Sequence, residues 1–254
     1  MSYISKIRNR EGAIPDLLYR TYKKIQHFNV YPVPALFHLL AFERAARSAL
    51  WSWLKRKFYD EPIFKLKCRS CGRGFNLLAG IPLVYGDLDL RIGEHVTMHG
   101  SSTLSAGKVF KNPRLTIGNR THCGFYFSVS VGADVFIGDD VLISNLVTIY
   151  SYDSHPFDPK KRRQGLPAEP ESSRPIHIGN NVWICSGAII LKGVTIGDNS
   201  IVAAAAVVAK DVPANVIVAG NPARIVKRLS DDENRAALLQ EAGCRRERIS
   251  DSLR

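Results

Sequence analysis

The chain has 254 residues, of which 45% are hydrophobic and 23% charged, a composition typical of globular proteins with a buried core. Its formal net charge is +12, and residues 1–60 hold 11 Lys or Arg against 4 Asp or Glu. No zinc-finger, helix-turn-helix or RNA-binding motif accompanies this charge, so we expect no nucleic-acid partner. Five cysteines and the lack of a signal-peptide pattern argue against a disulfide framework and favour a cytoplasmic protein.

Residues 1–60 are predicted to form a basic amphipathic helical segment. After Pro34, apolar residues recur at i, i+3 and i+4 spacing at Leu36, Leu39, Leu40, Ala46, Leu50, Trp53 and Leu54. One interpretation is an interfacial helix, in which residues 34–58 lie on the inner face of an anionic membrane. The other, which we favour, is a helix that caps the open end of the next domain.

From residue 81 to 228 the helical period gives way to a period of six. Its clearest stretch places an aliphatic residue at Ile178, Ile184, Ile190, Ile196, Val202 and Val208. Four residues after the first five of these come Val182, Ala188, Val194, Ser200 and Ala206, which are small or β-branched. An upstream stretch repeats the pattern at Val131, Ile137, Ile143 and Ile149.

A chain that turns a corner every six residues explains this period, because one aliphatic side chain per side then points inward and stacks on its copies. Gly, Asn and Asp near the corners tolerate turn dihedral angles. The pattern therefore predicts a mainly β fold, a parallel β-helix of hexapeptide repeats with triangular coils. Residues 229–254 are predicted to form a short C-terminal helix and tail.

The six-residue period breaks once, in a loop over residues 150–177. Long loops in an otherwise regular repeat fold are usually functional. His155 lies near the start of this loop, before Pro156, and histidine is the side chain best suited to act as a base near neutral pH. A surface histidine without a catalytic role is the alternative.

The run His155-Pro156-Phe157-Asp158-Pro159, followed by the coil from Ile178 through Trp183 to Ile184, resembles the maltose and galactoside acetyltransferases. It is also similar to related enzymes that modify polysaccharides. The likeness spans roughly residues 85–228, and it implies a left-handed, trimeric β-helix with active sites between subunits. The right hand that parallel crossovers usually adopt would be the expectation without it.

The resemblance also implies roles for individual residues. His155 would deprotonate the acceptor hydroxyl, which attacks the thioester of acetyl-CoA, and no metal is expected. The cofactor side would comprise Trp183, Ser186, Ala204, Lys210, Arg224 and Lys227, with the three cations meeting CoA phosphates and a backbone N–H at Ser186 stabilising the oxyanion. Asp153 and Asp158 are candidates to orient the imidazole.

The acceptor side departs from the galactoside group, which has Asn-Phe-Asn where this chain has Gly124-Phe125-Tyr126, and an acidic residue where it has Gly132. We therefore expect a rebuilt sugar or glycan site that includes Tyr126. The four consecutive cations Lys160 to Arg163 either clamp an anionic acceptor or form a solvated basic loop.

Residues 61–80 are predicted to form a junction that contains Cys68 and Cys71. One Cys-x-x-Cys pair supplies half a tetrahedral zinc site, and no second pair follows at finger spacing. A structural turn is the favoured interpretation, and a zinc ion completed by other ligands is the alternative.

The favoured function is O-acetylation of a sugar hydroxyl in surface polysaccharide biosynthesis. N-acetylation of a nucleotide-linked amino sugar, acetyl transfer to serine and a non-catalytic scaffold are the alternatives. A γ-type carbonic anhydrase would need three metal-binding histidines across a subunit interface, and His95, His99 and His122 match those positions poorly.

Overall fold

The computed structural model describes residues 7–10, 12–29, 33–107 and 110–229. The chain divides into two units, residues 1–51 and 52–254. The predicted C-terminal helix lies outside the described residues.

Helices occupy the N-terminal part, as the sequence predicts. They are α1 (Ala13–Gln26), α2 (Pro34–Lys55), a π-helical turn (Arg56–Asp60) and α3 (Glu61–Lys65). The remaining short helices lie in the long loop and are α4 (Pro159–Arg163) and a 3₁₀ turn (Pro170–Ser172).

Three sheets form the second unit, and the chain visits them in turn. Sheet A contains β1 (Ser70–Cys71), β4 (Asp89–Ile92), β7 (Arg114–Ile117), β10 (Val135–Ile137), β13 (Ile176–Ile178) and β16 (Thr195–Ile196). Sheet B contains β2 (Asn76–Leu78), β5 (Thr97–His99), β8 (His122–Cys123), β11 (Leu142–Ile143), β14 (Trp183–Ile184), β17 (Ile201–Val202), β19 (Val216–Ala219) and β20 (Arg224–Arg228). Sheet C contains β3 (Leu83–Tyr85), β6 (Thr103–Ala106), β9 (Ser128–Val131), β12 (Thr148–Tyr150), β15 (Ile189–Ile190) and β18 (Val207–Val208).

All described strand pairs are parallel except β19 with β20, which is antiparallel. The result is a parallel β-helix of about seven coils, in agreement with the left-handed β-helix that the resemblance implies. The first strands, β1 and β2, fall inside the predicted junction of residues 61–80.

The structure confirms that the aliphatic residues that recur every six positions face the inside of the β-helix. Ile117, Ile137, Ile178 and Ile196 pair in register along sheet A and are buried. The small residues four positions later are buried as well, including Ser200, whose Oγ donates to the Pro213 carbonyl at 2.7 Å. The core is therefore a continuous stack along the helix axis.

At the corner between sheets A and B, glycine is required for a different reason from the one that the sequence suggests. A Cβ on Gly118 or Gly138 would lie 2.5 to 2.6 Å from backbone atoms of the next coil. The positive φ falls two residues later, for example on Asp140 (φ 58°). These glycines are needed for close stacking of coils, and the turn dihedral is carried by another residue.

A ladder of side chains links successive coils at this corner. The Glu94 N–H donates to Asn119 Oδ1 at 2.8 Å, and the Asn119 N–H donates to Asp139 Oδ1 at 2.7 Å. The Asp139 N–H then donates to Asn180 Oδ1 at 2.9 Å. The hydrogen bonds that the Asn119 side chain and the Asn119 N–H donate to the Asp139 carboxylate lower the pKa of Asp139.

Within the described residues, every insertion longer than a few residues leaves the β-helix at one edge, between sheets C and A. The connections there span residues 107–113 after β6 and 151–175 after β12. Loops that cluster on one face of a repeat fold often form its binding surface.

Residues at the start of the second unit cover its first coil. Phe64 is fully buried and stacks on Phe75 with ring centroids 5.2 Å apart. The Glu61 carboxylate accepts from the Leu77 N–H at 3.3 Å, and Lys57 pairs with it at 2.8 Å. α3, which lies in the predicted junction, therefore satisfies part of the open sheet edge.

The Cys-x-x-Cys pair lies just after this cap. Cys68 Sγ donates to the Phe64 carbonyl at 3.6 Å, and the two thiols share a hydrogen bond that raises the pKa of Cys68 and lowers that of Cys71. Within the described ranges, no three His, Cys, Asp or Glu side chains are grouped to hold a metal ion.

Candidate active site

The loop that carries His155 is anchored where it leaves β12. Ser151 is fully buried, and its Oγ accepts from the Gly132 N–H at 2.8 Å and donates to the Ala133 carbonyl at 2.7 Å. Four residues later, the His155 side chain is exposed. The loop thus begins at a fixed point and presents the imidazole to the outside of the C–A edge.

Lys192 holds the chain on both sides of His155. Its ammonium forms an ion pair with the Asp153 carboxylate and lies 5.4 Å from the centre of the Phe157 ring. Both charged groups are largely shielded from solvent. Pro156, between His155 and Phe157, is buried. The pattern of repeats gave no reason to single out Lys192.

The two aspartates that sequence reasoning placed near the imidazole have other partners. Asp153 pairs with Lys192, and Asp158 caps α4 by accepting from the Lys160 N–H at 2.8 Å. Of the basic run in this loop, Lys161 pairs with Glu169 at 3.0 Å. Arg162 donates to the Pro156 carbonyl at 2.9 Å. Part of that positive charge therefore stabilises the loop itself.

An aromatic wall stands beside the loop at the C–A edge. Phe110 and Tyr152 meet edge to face with centroids 5.1 Å apart. A Cβ on Gly132 would lie 2.6 Å from Tyr152 Cβ and 2.7 Å from the Phe110 ring. The acidic residue expected of the galactoside group therefore cannot fit at Gly132 unless this wall moves.

Tyr126 lies at the opposite end of the sheet C strands, at the B–C edge, with a positive φ of 56° and 62% of its surface exposed. Its N–H donates to Ser101 Oγ at 3.0 Å, and that oxygen also contacts His99 Nδ1 at 2.7 Å. The buried His99 ring stacks on Phe125, and burial lowers its pKa. The Ser101 hydroxyl thus links the backbone at Tyr126 to the His99 ring.

Three predicted cofactor residues line the same B–C edge. Trp183 on β14 is 40% exposed, and its Nε1 donates to Ser144 Oγ at 3.3 Å. Ser186 and Ala204 occupy exposed corner positions of successive coils, joined by the Ala205 N–H donating to the Ser186 carbonyl at 3.0 Å. The structure therefore brings these three residues into one column.

The same column contains an open backbone donor. Two coils before Ser186, the Phe125 N–H donates to Asn145 Oδ1 at 2.9 Å. Ala204 stands in the same position relative to Ser186, one coil further on, and its side chain contains no hydrogen-bond acceptor. Within the described part of the chain, the Ser186 N–H has no hydrogen-bond acceptor. A small residue at 204 thus leaves this N–H free for a ligand.

Two of the predicted phosphate-binding cations share a groove. Lys210 and Arg224 line a depression of about 250 Å³ together with Val208, Asp211 and Ala223. Lys227 lies on the exposed strand β20, in register with Ile217 of β19. The groove is open and cationic, as an exposed polyanionic group requires.

The predicted residues therefore occupy two edges of one β-helix. His155, with Lys192 and Tyr152, belongs to the C–A edge. Trp183 and Ser186 belong to the B–C edge, at the other end of the sheet C strands.

Comparison with known proteins supports this fold and its repeats. Residues 175–210 match the family model described as bacterial transferase hexapeptide (six repeats). Galactoside O-acetyltransferase of Escherichia coli is 43% identical over 115 residues, which are 45% of this chain and 54% of that protein. Nodulation protein L of Rhizobium meliloti is 43% identical over 118 residues and matches 41% of this chain and 62% of its own length. The chain thus spans little more than half the length of such relatives.

Among solved structures, an N-acyltransferase from Bacillus cereus shares the fold with a TM-score of 0.55. The match covers 74% of this chain and 96% of that one, at 20% sequence identity. In its repeats and its sequence this chain is therefore similar to hexapeptide-repeat acetyltransferases, and residues 175–210 carry the hexapeptide repeat itself.

Proposed function

We propose that this protein transfers an acetyl group from acetyl-CoA to a sugar hydroxyl, with His155 as the general base. The observation that carries the proposal is the position of His155. It stands exposed on the longest loop of the described β-helix. The chain is also 43% identical over 115 residues to a galactoside O-acetyltransferase. The chemistry needs an activated hydroxyl, a bound thioester and an oxyanion donor.

In this mechanism the acceptor hydroxyl gives its proton to the His155 imidazole as its oxygen attacks the thioester carbonyl carbon. A C–O bond forms, and the carbonyl oxygen becomes an oxyanion. When the tetrahedral species collapses, the C–S bond breaks and the CoA sulfur leaves with the proton that His155 took up. The products are an acetyl ester and free CoA, and no covalent enzyme intermediate is needed.

The open Ser186 N–H supports the oxyanion role. Acyl transfer depends on pre-arranged donors at the place where negative charge develops. The coils before it show how such a donor can be satisfied internally, because Asn145 Oδ1 accepts the hydrogen bond from the Phe125 N–H. Ala204 leaves the equivalent position clear, and its small methyl side chain also gives room for the pantetheine arm. Trp183 would wall the site, while Lys210, Arg224 and Lys227 would meet the CoA phosphates.

The acceptor side supports a glycan larger than a simple galactoside. The Phe110–Tyr152 wall fills the space above Gly132, and Tyr126 replaces an amide. Exposed aromatic rings offer apolar faces for sugar rings to stack on. A surface polysaccharide or its lipid-linked precursor, acetylated at the cytoplasmic side, is the acceptor class that fits. Contact of residues 34–58 with the inner membrane face remains a part of this proposal.

The two separate edges support a trimer with sites between subunits. A neighbouring copy could set its B–C edge against the C–A edge of this chain and so bring Trp183 and Ser186 opposite His155. Closed symmetric assembly repeats the same contact three times.

The test is release of free thiol from acetyl-CoA in the presence of a panel of glycans and nucleotide-linked amino sugars. We expect an acceptor among the glycans, and His155→Ala should reduce its turnover by about 10²-fold or more. His177→Ala, at an exposed histidine on β13, is the matched control and should retain full turnover. Unchanged turnover in His155→Ala would overturn the proposed base and favour a scaffold role.

A second arm tests the donor side. Lys210→Ala with Arg224→Ala should raise the KM for acetyl-CoA about tenfold while kcat changes little, because the phosphates are far from the reacting carbonyl. Lys67→Ala, which removes an exposed cation just after α3, should leave the KM unaltered.

A further inference from the structure

Helix α1 carries an apolar stripe that nothing in the described structure covers. Its members recur at i, i+3, i+4, i+8 and i+11, the spacing of one helix face. They are between 42% and 71% exposed and comprise Ile14, Leu17, Leu18, Tyr22 and Ile25.

The other face of α1 is polar and basic. Arg20, Lys23 and Lys24 lie there, against one acidic residue, Asp16, which pairs with Arg20 at 2.7 Å. A helix with an apolar face and a Lys- and Arg-rich polar face is the form that lies in a membrane interface. The next helix also exposes apolar side chains. No residue of α2 is buried, and its exposed members include Leu36, Phe37, Leu39, Leu40 and Phe42.

We propose that α1 is a membrane-docking helix that lies in the surface of an anionic lipid bilayer. Charge complementarity selects this partner over a second copy of the chain. A second copy carries the same excess of positive charge and is repelled, whereas anionic headgroups attract these lysines. Residues 1–60 carry 11 basic against 4 acidic residues, so the field around α1 has the same sign.

The docking mode is interfacial rather than spanning. Within the described residues no helix is both long enough and apolar enough to cross a bilayer. α1 has 14 residues, which is about two thirds of the length that a spanning helix needs. Docking of this kind would hold the enzyme where lipid-linked glycans are assembled, but it does not depend on the proposed acetyl transfer.

The test is co-sedimentation of the full chain with vesicles. We expect it to pellet with phosphatidylcholine vesicles that contain phosphatidylglycerol, and to stay in solution with phosphatidylcholine alone. Leu17→Ser with Ile25→Ser should lower the partition coefficient roughly tenfold or more. Lys23→Gln with Lys24→Gln should lower it by about fivefold per charge at low salt. Gln26→Ser, on the polar side, is the matched control and should bind normally.

Circular dichroism and thermal unfolding of each variant separate loss of docking from loss of the fold. Failure of the full chain to pellet with anionic vesicles would overturn the proposal. So would equal binding by the Leu17→Ser, Ile25→Ser variant. If that variant instead shows a smaller mass by light scattering, the stripe is an interface between copies. Vesicle binding can be measured on His155→Ala, so the outcome is independent of catalysis.

Discussion

Lys192 and Asp153 form an ion pair that joins the corner after β15 to the start of the His155 loop, 39 residues earlier in the chain. The same ammonium lies over the Phe157 ring, so one side chain fixes the loop before and after the proposed base. We therefore regard Lys192 as a positioning residue for His155.

Removing this contact should loosen the loop without unfolding the β-helix. In Lys192→Ala, amide hydrogen exchange over residues 152–158 should rise about fivefold, the equivalent of about 1 kcal/mol for a partly shielded pair. Lys160→Ala, an exposed cation on the same loop, is the control. Exchange in Lys192→Ala that matches the wild type would show that other contacts hold the loop. Once an acceptor is identified, kcat should fall in Lys192→Ala, while the KM for acetyl-CoA should change less.

The stacked glycines predict a stability difference between two kinds of glycine. In Gly138→Ala the new methyl group would lie 2.6 Å from the Gly179 carbonyl oxygen, so a coil must shift, at a cost of about 1–3 kcal/mol. Gly165 has open space but a φ of 69°, so Gly165→Ala should cost only about 1 kcal/mol. Thermal or denaturant unfolding measures both. Equal costs would show that close stacking does not limit this corner.

His99 predicts acid sensitivity near Tyr126. The Ser101 N–H lies 3.2 Å from Nδ1, so this nitrogen is the acceptor and the ring is neutral. Burial lowers its pKa, so the unfolded chain binds a proton more readily than the folded one. This contribution to stability is complete above the unfolded value of about 6.5 and is lost as pH falls towards the lower folded value.

The measurement is the free energy of unfolding between pH 7.5 and pH 5. His99→Gln should flatten the decline over that interval. His177→Gln, an exposed histidine stacked on Phe136, serves as the matched control and should keep the wild-type slope. A slope that His99→Gln leaves unaltered would assign the acid sensitivity to other groups.

A site shared between subunits predicts complementation. Ala204→Asn should supply an acceptor to the Ser186 N–H, as Asn145 does for Phe125, and so silence the donor side. His155→Ala silences the other edge. Refolding the two inactive variants together should restore about one quarter of wild-type turnover, because a quarter of random contacts pair two intact edges. No recovery in verified mixed oligomers would place the site within one chain.

The sequence was sufficient to predict the β-helix, because a buried residue every sixth position leaves a period that no helix or simple strand produces. It also located His155, since the loop interrupts that period. Resemblance to a family, rather than spacing, supplied Ser186 and Ala204. Lys192 and the Phe110–Tyr152 wall could not be predicted, because they join segments that are distant in sequence and depend on how two loops pack.

One explanation from the sequence was wrong in its physical reason. The sequence interpretation explains glycine at the A–B corner by its dihedral freedom. In the structure, Gly118 and Gly138 are required because the backbone of the neighbouring coil leaves no room for a Cβ. The sequence of one coil cannot reveal this contact between coils. Likewise, Asp153 and Asp158 were natural partners for an imidazole, but a lysine and a helix N-terminus engage them in the structure.

Since the long insertions of the described chain leave the β-helix at the C–A edge, the loop that carries His155 can change in length and sequence without disturbing the repeat. Exchanging residues 151–175 with the loop of another member would retune what is acetylated and leave the thioester half intact. Such a scaffold is modular by construction: the loops of one edge can diverge, while the corner residues of the other edge, Tyr126 and Ser186 among them, stay tied to the repeat itself.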